Sequence, residues 1–108
     1  MKVTRSSGNV FADIGFDKRE SDEVAAKADL IMLVSRAIQD RALTQEQAAR
    51  LCGTDQPTLS KALRGRLESV TIDRLTRWIV ALGGRVRITV EQPETGSAQK
   101  GSVTVQRL

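Results

Sequence analysis

The sequence predicts a mainly α-helical domain of short helices, closed near its C-terminal end by a β-strand or a short β-hairpin. Three observations carry that expectation. Helix-starting residues recur at Ser21, Thr44, Asp55 and Thr71, and glycines stop the pattern at Gly53, Gly65 and Gly83-Gly84. Aromatics are scarce, with one Trp, two Phe and no Tyr, so the core falls to Leu, Ile, Val and Ala. Finally, "RVRITVE" alternates strictly, with Val86, Ile88 and Val90 on one face and Arg85, Arg87 and Thr89 on the other, the period of a half-buried strand.

Residues 1–20 read as an irregular N-terminal arm, punctuated by "SSGN" and Gly15 around a weakly apolar "NVFADIGF". Ser21 offers a cap, and Asp22 and Glu23 favour the first turn of a helix running to about Arg41. Its apolar stripe passes through Ala28, Ile31, Val34 and Ile38, and Leu30, Met32 and Leu33 widen it. A surface helix rarely needs that much apolar face. The arm is the simplest cover; a partner-binding or subunit surface is the sharper reading.

In "LTQEQAARLCG", Thr44 and Gln47 have the spacing of a capping box, and Leu43 precedes them as a possible staple. Ala48, Ala49 and Leu51 are the expected inward positions. Asp55 then caps the next helix, and Pro57 falls at its second position, where a missing N–H costs little. Leu59, Ala62 and Leu63 form its buried side. Thr71 caps a further helix with Ile72, Leu75, Trp78, Ile79 and Leu82 three or four apart. The domain is expected to span 21–91. Residues 92–108 read as a polar linker followed by a tail or second strand, "VTVQRL".

Composition narrows the function. With 108 residues, one domain is the default. No apolar run approaches the ~20 residues of a membrane span, and the N-terminus lacks the order of a secretory signal. One cysteine allows no internal disulfide. A protein of the cytoplasm is expected, with no membrane partner. The absence of histidine removes the commonest general base and metal ligand. Cys52 has no second thiol, and no phosphate-cradling glycine loop occurs. Neither an enzyme nor a metal or cofactor site is expected. The net charge of +4 points mildly to an anionic partner. Its placement says more: between Gln56 and Arg66 stand Lys61, Arg64 and Arg66, and no acid.

Two short helices joined through a glycine turn have the shape of a helix-turn-helix, whose second helix enters the major groove of DNA. The exposed leading residues fit that task. Gln56 can pair with adenine, Thr58 can meet a thymine methyl or an acceptor, and Lys61 can reach guanine acceptors. Ser60 lies on the same outer side. Arg64 and Arg66 are better placed for phosphates, and Gln45 sits where a side-chain amide and helix N–H groups can hold another. A solvated helix in an all-α domain is the bland alternative. The helix-pair shape alone would not outweigh it; cap, glycine turn and acid-free basic face do so together with the family pattern that the motif carries.

At "LTQEQAARLCGTDQPTLSKALRG", about a fifth of the chain, the sequence resembles the Cro/repressor-like (Xre) family. Gln45, Ala49, Gly53, Gln56, Leu59, Ser60 and Gly65 stand where that pattern expects them. Pro57 departs from the commoner polar residue and leaves only apolar contact there. "SSGNVFADIGF" and "TIDRLTRWIVALGGRVRITV" further resemble the HigA-like antitoxin branch. The resemblance implies a lambda-repressor-like (Cro/C1-type) bundle of about five helices with a following strand. It also implies a dimer that binds operator DNA, represses its own operon and neutralises a RelE/HigB-like toxin. A free-standing Xre-type regulator, or a module that mainly sequesters a toxin, are the alternatives. Trp78 is read as core or dimer interface. It joins Val86, Ile88 and Val90 in the expected interface, because an unpaired strand invites a second copy. Cys52 reads as a small packed residue.

Overall fold

The computed structural model describes residues 18–93, 96 and 101–107. Most of the expected arm, residues 1–17, lies outside the described residues, as does part of the expected linker. Four helices form the described fold: α1 (Lys18–Asp40), α2 (Gln45–Cys52), α3 (Gln56–Leu63) and α4 (Ile72–Ala81). About five helices and a strand were expected; among the described residues there are four helices and no strand.

The first helix begins at Lys18, so Ser21 lies inside it rather than at its cap. Lys, Arg and Glu at 18–20 are good helix formers, and nothing between them and Ser21 breaks the turn. The buried stripe runs through Ala26, Leu30, Ile31, Val34 and Ile38. Ala28, an expected member, is exposed, because it stands about 200° of helical turn from Ala26. Met32 also faces out, 69% exposed.

The end of α1 is unusual. Ala42 takes a left-handed φ of 53°. It lets the Leu43 N–H reach the Ile38 carbonyl at 3.1 Å and the Ala42 N–H reach Gln39 at 3.0 Å. This is the bond pattern that glycine ordinarily closes. The turn delivers Thr44 directly to the start of α2.

Helix α1 packs mainly on α4, with α3 alongside, while α2 packs on α3 and α4. Trp78, Leu59, Leu75 and Val34 are the largest fully buried side chains, so one core draws on α1, α3 and α4. Burying each large side chain contributes roughly 1.5–3 kcal/mol. Helix α2 adds only Ala48 and Ala49, and these small residues let its backbone lie close to its neighbours. Leu51, expected inward, is 47% exposed. It lies past the edge of the face centred on Ala48, Ala49 and Cys52.

Two long side chains tie distant segments to the bundle. Arg41 Nη1 donates to the Leu82 carbonyl at 3.0 Å, a cation on the C-terminal end of α4. Lys27 Nζ donates to the Leu67 carbonyl at 3.3 Å, which fixes the loop after α3 against α1.

The strand expected over 85–91 takes no regular structure within the single chain. Nor does it pair with 101–107, which carries Val105 onto the edge of the core instead. Ile88 and Val90 are 81% and 78% exposed, and Val86 is half-buried. A strand needs a ladder partner, and the described part of the chain supplies none.

Candidate nucleic-acid interface

The site is built from caps. Thr44 Oγ1 accepts the Gln47 N–H at 3.0 Å, and Gln47 Oε1 accepts the Thr44 N–H at 2.9 Å. Both halves of the expected capping box are present. At the other end Gly53, with φ 71°, donates to Arg50, and Thr54 donates to the Ala49 carbonyl at 3.0 Å. A residue with a Cβ would be strained at that φ, which makes the sharp turn a glycine turn.

Three residues after α2 ends, α3 begins. The Asp55 carboxylate accepts the Thr58 N–H at 2.7 Å. That bond, with the positive Arg74 and Lys61 adding to it, holds the Asp55 carboxyl below the usual aspartate range. Gln56 is the first helical residue and Pro57 the second, so the proline sits where no N–H partner is needed. Gly65, with φ 92°, closes the far end: its N–H meets Ala62 at 2.9 Å, and the Arg66 N–H meets Lys61 at 3.0 Å. Both ends of this eight-residue helix are therefore specified by hydrogen bonds within the motif.

The face that α3 presents follows from what it buries. Leu59 and Ala62 are fully buried, which aims the helix's other side at solvent. Pro57, Lys61 and Arg64 make one outward row at i, i+4 and i+7, all exposed. Gln56 is exposed at the leading end, Thr58 and Ser60 are half-buried on the flanks, and Arg66 is exposed just beyond Gly65. Gln45, the first residue of α2, is exposed as well. Together the eight expected contact residues lie along α3 and the start of α2, each at least partly open to solvent. The only carboxylate on α3 or its cap is Asp55.

The expected dimer residues are not gathered in the same way. Trp78 is 1% exposed at the centre of the chain's own core, so its ring is not offered to a second chain. Core is one of the two readings of Trp78 from the sequence, and the apolar positions on α4 that face out include Val80, 56% exposed. Cys52 Sγ lies 3.9 Å from the Trp78 carbonyl, and burial pushes the thiol up. It is thus a resting thiol rather than an activated one. Among the described residues no group of His, Cys, Asp or Glu could hold a metal ion, and no helix is long and apolar enough to cross a membrane.

One residue of the site has no signal in the sequence. Arg74 Nη2 donates to Thr54 Oγ1 in the turn, at 3.1 Å, and its guanidinium lies 5.7 Å from the centre of the Trp78 ring. Twenty residues separate Arg74 from Thr54, and no spacing rule links them.

Two capped helices joined by a glycine turn, the second presenting a basic outer face, define a helix-turn-helix protein. The family model described as "Helix-turn-helix domain" matches residues 10–91, and the chain belongs to that family. A solved structure described as an XRE-family transcriptional regulator is similar to it, with a TM-score of 0.71 and 25% identity, over 82% of this chain and 99% of that one. Family and fold together make the motif an Xre-type helix-turn-helix. No curated protein matches the chain.

Proposed function

We propose that this protein is a sequence-specific, DNA-binding transcriptional repressor of the cytoplasm. We further propose that it is the antitoxin of a toxin–antitoxin pair and regulates its own operon. The observation that carries the DNA reading is the short, doubly capped α3 with Gln56, Lys61 and Arg64 exposed along its outer side. The work is binding, not catalysis. Gln56, Thr58, Ser60 and Lys61 choose the sequence, with Pro57 in apolar contact. Arg64, Arg66 and Gln45 hold phosphates and make affinity salt-dependent. The closed cap explains the abrupt start of α3: a frayed first turn could not hold Gln56 at a base edge.

A two-fold dimer suits a palindromic operator with half-sites about one helical turn apart. Val86, Ile88 and Val90 are its proposed contact, and the exposure of Ile88 and Val90 supports that assignment. The toxin reading, with a RelE/HigB-like partner, rests on the resemblance of the segments that flank the motif. One observation favours a protein-interaction role beside DNA binding. Met32, Leu33 and Val105 share a cleft of about 400 Å³ with Arg36 and Arg107 on the side of α1.

The deciding experiment is fluorescence anisotropy on the DNA upstream of the protein's own gene, against a scrambled duplex, across a salt series. Tight binding to the native duplex alone is expected. Equal, salt-labile binding to both would reduce α3 to generic electrostatics and favour a sequestering module. Gln56→Ala should lose specific binding and keep non-specific binding. If both fall equally, Gln56 does not read bases. Absence of an adjacent small, basic, RelE-like reading frame would favour a free-standing regulator.

A further inference from the structure

We propose that Arg74, on α4, is a positioning residue for DNA recognition: it braces the turn between α2 and α3 through Thr54, and it masks the Asp55 carboxylate from the approaching phosphates. The proposal rests on the DNA-binding reading above. Three observations place the guanidinium. It is hydrogen-bonded to Thr54 Oγ1 at 3.1 Å. It lies over the face of the Trp78 indole at 5.7 Å, and that indole is itself locked in the core at 1% exposure. Its own backbone N–H is held by Thr71 at 3.1 Å, so the start of α4, from which the side chain springs, is fixed too.

The reason for such a brace lies in a conflict within the motif. Helix α3 needs a capping acceptor at Asp55 to begin sharply, and the side chain used is an anion. That anion stands exposed at the leading end of the helix meant to enter a polyanion. Unmasked, it would repel the phosphates flanking the base edge that Gln56 must reach. Thr54 is the residue before Asp55, so the guanidinium tied to Thr54 is brought near the carboxylate without forming an ion pair with it. The Thr58 hydrogen bonds are the main cause that holds the Asp55 carboxyl low, and the positive charges of Arg74, from α4, and Lys61, from α3 itself, add to it. Lys61 points along the outer row and is committed to DNA. Arg74 is the one anchored away from the groove-facing row, which leaves it free to serve the cap. An arginine suits this place better than a lysine, because its planar fork can stack on the indole while donating sideways to Thr54.

A double-mutant cycle tests the idea on the full chain. Asp55→Asn keeps a good capping side chain and removes the charge. Arg74→Gln removes the cation at an exposed position. Anisotropy against the upstream duplex should show Arg74→Gln weakening specific binding by up to about fivefold, the reach of an exposed charge interaction. In the Asp55→Asn background the same change should cost clearly less. Arg74→Lys should recover part of the loss. Independently of DNA, the Asp55 carboxyl, followed by NMR, should titrate at higher pH in Arg74→Gln than in the parent. An equal loss in both backgrounds, with the salt slope reduced by about one, would make Arg74 a direct phosphate contact and overturn the masking role. An unmoved Asp55 titration would overturn it as well. If the parent protein prefers neither duplex, the DNA reading fails by itself, and the titration still decides whether Arg74 acts on Asp55.

Discussion

Residues 44–66 and residues 85–91 both space their apolar side chains as a regular element would, and they meet opposite ends. In the first region Leu59 and Ala62 are fully buried, and the caps at Thr44, Gly53, Asp55 and Gly65 are all satisfied within the chain. In the second, Ile88 and Val90 stand 81% and 78% exposed and the backbone has no ladder. The difference lies in where the backbone hydrogen bonds come from. A helix finds its partners four residues away and closes its ends with neighbouring side chains, so a helical unit completes itself. A strand finds its partners on another segment, so an alternating pattern states a need that the single chain does not meet.

The contrast can be broken most severely from inside the first region. Leu59→Ala should cost about 2–5 kcal/mol, since it empties a fully buried site shared by the bundle. Urea unfolding followed by circular dichroism measures it. A cost well under 1 kcal/mol would mean that α3 is less firmly packed than its burial implies.

The second region should respond in the opposite manner. Ile88→Glu with Val90→Glu is expected to leave helicity and thermal midpoint nearly unchanged, because neither side chain is packed within the chain. What should change is the assembly: light scattering coupled to gel filtration should show a dimer in the parent and a monomer in the variant. Operator affinity should fall with the lost second half-site contact. A variant that stays dimeric would place the subunit contact elsewhere on the molecule.

Smaller effects sharpen the comparison at the helix ends. Ala42 occupies a left-handed position that Gly53 and Gly65 fill elsewhere. Ala42→Gly should therefore raise stability by up to about 1 kcal/mol, the relief of strain less the added freedom of the unfolded chain. A rise in the thermal midpoint checks it, and a fall would show that the turn is held without strain. The last effect concerns pH. Asp55 has a depressed carboxyl pKa in the folded protein, so the unfolded state binds its proton first as pH falls. Its contribution is fully present above the ordinary aspartate range and is lost as pH drops through the folded value. Asp55→Asn should flatten that acid limb of the stability curve while keeping the helix, and an identical limb in parent and variant would remove Asp55 as its source.

What the sequence by itself determined are the parts whose chemistry is local. The Thr44–Gln47 box, the glycine at 53, the Asp55 cap that makes Pro57 harmless and the outward row of Lys61 and Arg64 were all legible, because each depends on residues within a turn or two. Only the tertiary structure decided what depends on distance. Periodicity marked Ala28, Leu51 and Trp78 as apolar positions, but the packing of α1 on α4 and α3 decided that Ala28 and Leu51 face out and that Trp78 is core. The start of α1 at Lys18 was missed because Ser21 favours a cap, yet a serine is tolerated inside a helix that the good formers at 18–20 extend. Arg74 was missed because its partner lies twenty residues away. The alternation at 85–91 was legible as a pattern, yet whether it becomes a strand depends on a partner segment. Pattern reports the face a residue prefers; burial and long-range bonds follow from which other surfaces are there to meet it.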